Sequence, residues 1–177
     1  MRMGKVFDLF FAAGVVWLRD EPADDFVEKV RNVVDDAQVF DADSILDWDV
    51  FDAALMNAVL AVRASRQRAR TLSNEVLMRL AATTQISEAI AKFGLKPGSK
   101  RAVFLVLGNS REQVEEKAAK VLSLAGGEET DLPKNPDQTR FAELYGVTEK
   151  VYKSVQAKTS IEALKLAIMQ KIATTLI

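Results

Sequence analysis

Residues 101–113 read Arg-Ala-Val-Phe-Leu-Val-Leu-Gly-Asn-Ser-Arg-Glu-Gln, and this stretch decides the fold. Six consecutive apolar residues, Ala102 to Leu107, with β-branched and aromatic members, predict a strand covered on both faces. Such a strand belongs at the centre of a sheet. Ser110 to Gln113 then forms a capping box for a helix to about Leu124, and Gly126-Gly127 ends it.

Toward the N-terminus, the apolar run Val6 to Leu18, interrupted by Gly14, predicts a strand pair or a bulged strand. Glu21-Pro22 starts a helix to about Asp36 with Phe26, Val30, Val33 and Val34 on one face, and Val39-Phe40 reads as a short strand. A long helix follows from about Asp47 to Arg68, with acids at its positive end and a buried stripe from Val50 to Val62. Ser73 caps a helix to about Ala81. Another begins near Thr84, buries Ile86, Ala89, Ile90 and Phe93, and stops at Gly94 as a C′ glycine.

Toward the C-terminus, Glu128 to Leu132 suits an edge strand, and helical patterns cover Thr139–Leu144, the stretch from Thr148, and Ser160 to the end. The elements imply an α/β protein of α+β type, one domain over residues 1–177. Its small central sheet is mostly antiparallel and is flanked by about seven or eight helices.

The 177 residues are 49% hydrophobic, enough for a sizeable core. Cysteine and histidine are both absent, which excludes disulfides, thiolate nucleophiles, Cys/His zinc sites and histidine general bases. No catalytic residue, metal site or cofactor is expected. Asp41, Asp43, Asp47, Asp49 and Asp52 fail as a calcium loop because Leu46 stands where glycine is required. No apolar run is long enough to span a bilayer, so a soluble, cytoplasmic protein with no membrane partner is expected.

The net charge of −1 hides an asymmetry. Residues 20–52 carry twelve acids and two bases, whereas residues 53–177 carry nineteen bases and twelve acids. Arg63, Arg66, Arg68 and Arg70 crowd the end of the long helix with no acid among them. They either complement the helix dipole or grip the phosphates of a single strand. Lys92 and Phe93 lie near this cluster in sequence, with Phe93 the aromatic candidate for base stacking.

The last helix has two apolar faces. Ile161, Leu164, Ile168 and Ile172 share one, and Leu166, Met169, Ala173, Leu176 and Ile177 the other. One small domain ordinarily buries a single stripe, so one face is a candidate interface, with Ile161, Leu164, Ile168, Met169, Ile172 and Leu176 as candidate contacts.

Arg70-Thr71-Leu72-Ser73-Asn74-Glu75-Val76, followed by Ile86-Ser87-Glu88-Ala89-Ile90 and Lys92-Phe93-Gly94, resembles the small regulatory subunit of the KEOPS tRNA-modification complex, in its archaeal form. Phe7 to Phe10, Val147 to Lys153 and Ser160 to Ile172 look like the family's opening strand and last two helices. The resemblance implies a non-catalytic protein that binds the N-lobe of a PRPK-type kinase/ATPase subunit, largely through helices that include the last one. It further implies, as in archaea, contact with the single-stranded 3′ CCA end of tRNA, within a complex that installs threonylcarbamoyl-adenosine. The chain departs from the family at Asn57, where a basic residue is frequent, and from Gly126 to Arg140. A stand-alone RNA-binding domain using Arg63 to Arg70 is the alternative, and it requires a fully packed terminal helix.

Overall fold

A computed structural model of the chain describes residues 1–19 and 22–175. In chain order the elements are β1 (Arg2–Val6), β2 (Leu9–Trp17), α1 (Ala23–Val33), β3 (Ala37–Asp41), α2 (Trp48–Arg63), α3 (Leu72–Leu80), α4 (Ile86–Phe93), β4 (Arg101–Gly108), α5 (Arg111–Leu124), β5 (Glu129–Thr130), α6 (Gln138–Tyr145), α7 (Glu149–Lys153) and α8 (Ser160–Thr174). The sheet order is β1-β2-β4-β3, with β5 also pairing β2, and every pairing is antiparallel. This is the expected α+β architecture.

The run from Ala102 to Leu107 is central, paired with β2 on one edge and β3 on the other. Alternation along the strand sends its side chains to two separate cores. Val103, Leu105 and Leu107 join Phe40, Phe51, Leu77, Phe93 and Ile168 on one face of the sheet. Ala102, Phe104 and Val106 join Phe26, Val30, Val114 and Val121 on the other. Helices α1 and α5 therefore cover one face, and α2 to α4 with α6 to α8 cover the other.

The N-terminal run is a hairpin. Its break falls at Phe7-Asp8, where Val6 faces Leu9 across a two-residue loop, and not at Gly14. Gly14 lies within β2 because a Cβ there would stand 2.9 Å from the ring of Phe104 on the neighbouring strand. No bulge is needed.

Helix boundaries follow capping chemistry. Asp47 caps α2 through Val50 N (2.9 Å), and Ser110 caps α5 through Gln113 N (3.2 Å). The Gln113 side chain accepts in return from Asn109 N (2.7 Å), one residue before the cap. Helix α3 is capped by Thr71, not Ser73, and α8 by Thr159. Helix α2 ends at Arg63, five residues before the expected Arg68. Ser65 adopts φ 54°, with Ser65 N bonded to Val62 O (3.0 Å) and Arg66 N to Ala61 O (2.8 Å). That is a Schellman ending closed by a serine, which a search for C′ glycine misses. Gly126 does close α5 in the left-handed region (φ 79°), but Gly94 has φ −68°. Gly94 is required for another reason: a Cβ there would meet the Ile90 carbonyl oxygen at 2.6 Å.

Candidate nucleic-acid and partner surfaces

The shorter α2 converts the arginine cluster from a helix end into an irregular, mostly exposed segment over residues 64–71. Glu75 on α3 shapes that segment. Its carboxylate is fully buried, and Oε2 accepts from the backbone N–H groups of Arg68 (2.8 Å) and Ala69 (2.9 Å). Oε1 accepts from Nε of Arg79 one turn later (2.8 Å), with Nη2 also at 2.8 Å. Arg79 is itself buried, so a charge pair in the core clamps the backbone that carries Arg68 and Arg70.

Beside the clamp is a groove of about 270 Å³ lined by Arg68, Ala69, Arg70, Asn74, Met78, Thr84 and Ile86. Two guanidinium-bearing residues and an apolar wall thus meet in one depression. Among the described residues, Arg66, Arg68 and Arg70 form no ion pair. Such a site pairs phosphate-seeking cations with a surface against which an unpaired base can lie.

The other expected contacts are elsewhere. Phe93 is fully buried, with its ring edge-on to Tyr145 at 5.1 Å, and is unavailable for stacking. The exposed apolar residues of α4 are Ile86 and Ile90, which the sequence reading placed inside; Ala89 and Phe93 alone face the core. Lys92 bonds Glu88 (2.8 Å) outside the groove, and this bond, with a second from Thr83, holds the Glu88 carboxyl below its ordinary range. Arg63 bonds Asp8 (2.6 Å) and lies over the Phe7 ring at 4.6 Å.

The acids of residues 41–52 all have partners. Asp41 accepts from Asp43 N and Ser44 Oγ (3.3 Å each), and burial raises its carboxyl pKa. Asp43 bonds Arg101 (2.5 Å), Asp52 forms a two-pronged pair with Arg2 (3.0 and 2.7 Å), and Asp47 and Asp49 flank Lys165 (3.2 and 2.6 Å). They are spent on caps and on ties between elements. Among the described residues no cluster of three or more His, Cys, Asp or Glu side chains could hold a metal, and no helix is long and apolar enough to cross a membrane.

On α8 the two apolar faces are covered unequally, and Met169 of the second face packs against the core with the first. Leu164, Ile168 and Ile172 are fully buried, which corrects their expected role as partner contacts. Ile161 and Met169 are half-buried against the same core, and Leu176 lies outside the described residues. The outward side consists of Leu166, 40% exposed, with Gln170 and Ala173. Next to it a shallow groove between α7 and α8 is lined by Val151, Ala167, Gln170, Lys171 and Thr174. Val151 is half exposed. Lys171 ties α8 to the end of α6 by donating to Gly146 O (2.8 Å), and burial lowers its ammonium pKa.

A family model described as kinase binding protein CGI-121 matches residues 23–175. A curated relative, the EKC/KEOPS complex subunit CGI121 of Kluyveromyces lactis, is 22% identical over 99 residues, which are 49% of this chain and 63% of that relative. The chain thus aligns with less than two thirds of that relative's length.

Proposed function

This chain belongs to the CGI-121 family of kinase-binding proteins, and from that premise we propose that it is a non-catalytic subunit of a KEOPS-type complex. It docks on a PRPK-type kinase/ATPase subunit and holds the single-stranded 3′ CCA end of tRNA for threonylcarbamoyl-adenosine formation. The observation that carries the RNA half is the groove in which Arg68 and Arg70, without an ion pair among the described residues, face Ile86. Arginine forks suit phosphates, and the apolar wall takes the face of an unstacked base. The partner half is supported by the family's description and by the outward side of α8, where Leu166 remains exposed after the helix has buried its other face. A stand-alone RNA-binding domain requires that helix to be fully packed, and exposed Leu166 counts against it.

The test uses a single-stranded RNA oligonucleotide ending in CCA and the variants Arg68→Gln and Arg70→Gln. Each lost phosphate contact should weaken binding and flatten the dependence of log K on log salt by about 0.7. Unchanged affinity and slope in both variants would remove the RNA role. Co-purification with the kinase subunit, lost in Leu166→Asp while the fold is retained, tests the docking role.

A further inference from the structure

The hairpin tip holds an aromatic residue in a conformation that aromatics avoid. Phe7 is the first residue of the two-residue β1–β2 loop and has φ 56°, whereas Asp8 has no positive φ. Positive φ at the first loop position alone is the pattern of a type II′ turn, in which glycine is the usual occupant because a Cβ is strained there. The ring is not placed there to be buried, since Phe7 is 52% exposed. A strained, exposed aromatic at a loop tip is the kind of outlier from which a functional role is argued.

Its surroundings indicate what it meets. The Arg63 guanidinium lies 4.6 Å from the ring centroid and is oriented by Asp8 at 2.6 Å. The Schellman turn that ends α2 brings Arg66, which is exposed and unpaired among the described residues, back to within a hydrogen bond of Ala61. At ~3.5 Å per residue, the Cα atoms of Arg63 and Arg68 lie within about 17 Å of each other, a span a few nucleotides can bridge. The chain that joins the Arg68–Arg70 groove to the residue beside the hairpin tip thus carries a further arginine, Arg66.

We infer that Phe7 is a base-stacking platform that extends the RNA site beyond the groove, taking a nucleotide upstream of the terminal CCA. This rests on the RNA reading proposed above. The exposed ring face takes the base, Arg63 holds the ring in place and adds cationic character beside it, and Arg66 accompanies the connecting phosphates.

The experiment compares two RNA probes, the trinucleotide CCA and a longer single strand ending in CCA, against wild type, Phe7→Gly, Phe7→Tyr and Arg68→Gln/Arg70→Gln. Phe7→Gly suits the turn, so its denaturation midpoint should equal or exceed that of wild type. Its affinity for the longer strand should fall roughly 5-fold to 150-fold, the range for loss of one stacked base, with trinucleotide affinity unchanged. Phe7→Tyr keeps a flat ring and should bind the longer strand as wild type does. If Phe7→Gly binds both probes normally while the arginine variant is weakened, the stacking role falls and the groove stands. If the arginine variant also binds normally, the RNA reading itself fails. Retention of RNA with loss of the co-purifying kinase in Phe7→Gly would overturn the proposal by assigning the tip to a protein interface.

Discussion

Replacing Glu75 with Gln should destabilise the protein by about 3–5 kcal/mol, the loss expected when one member of a buried charge pair is removed. The carboxylate accepts two hydrogen bonds from Arg79 and the loop amide of Arg68 on separate oxygens, with a further amide from Ala69. A glutamine keeps the shape but turns one oxygen into a donor. That NH₂ must face either the guanidinium or the two loop N–H groups, and Arg79, buried beside it, is left as an uncompensated charge. With an urea m-value of ~2 kcal/mol/M, the midpoint should drop by roughly 1.5–2.5 M. Native-state hydrogen exchange should show faster exchange at the Arg68 and Ala69 amides than at other amides of the fold. Replacing the pair together, Glu75→Leu with Arg79→Met, should recover most of the stability while leaving the arginine segment unclamped, so RNA affinity stays reduced. A loss below ~1 kcal/mol in Glu75→Gln, with the two amides still protected, would refute the claim that this pair holds the segment.

Other substitutions test separate parts of the structure. Ile168→Asp places a charge at a fully buried position and should unfold the protein, whereas Leu166→Asp should cost less than ~1 kcal/mol. Urea melts of the two variants check this, and equal destabilisation would show that α8 has no free face. Gly94→Ala should destabilise by about 1–3 kcal/mol, because its Cβ would meet the Ile90 carbonyl oxygen at 2.6 Å although the backbone angles suit alanine. A raised thermal midpoint would contradict it. Burial raises the Asp41 pKa above 3.8, so the folded state holds this proton more tightly than the unfolded chain. Its contribution to stability accordingly falls as pH rises through that acid range. Asp41→Asn should therefore gain on wild type as pH rises above 3.8, and a midpoint difference independent of pH would reject the assignment.

Local chemistry in the sequence was sufficient for the central strand, the start of α2 near Asp47, the cap at Ser110 and the Gly126 stop, because each depends on neighbours a few residues away. It failed where the signal was atypical: Ser65 and Phe7 take positive φ without being glycine, so the end of α2 and the hairpin turn were misplaced. The kinase-binding family was legible in the motif from Arg70 to Gly94, and the matching family model spans it.

The site was only partly legible. Arg68 and Arg70 were identifiable as unneutralised cations, but Ile86 as the groove's apolar wall and Glu75 as the clamp were not. Periodicity finds apolar faces and charge patterns on each helix without saying which of them another element will cover. Phe93 turned inward, where Tyr145, far along the chain, packs against it, whereas Ile86 stayed 39% exposed on the wall of the groove. In α8 the sequence established two apolar faces, and the tertiary structure decided between them: the core on that side of the sheet takes Leu164, Ile168 and Ile172, leaving Leu166 to the solvent. Burial is a property of what arrives from elsewhere in the chain, whereas periodicity belongs to the helix itself.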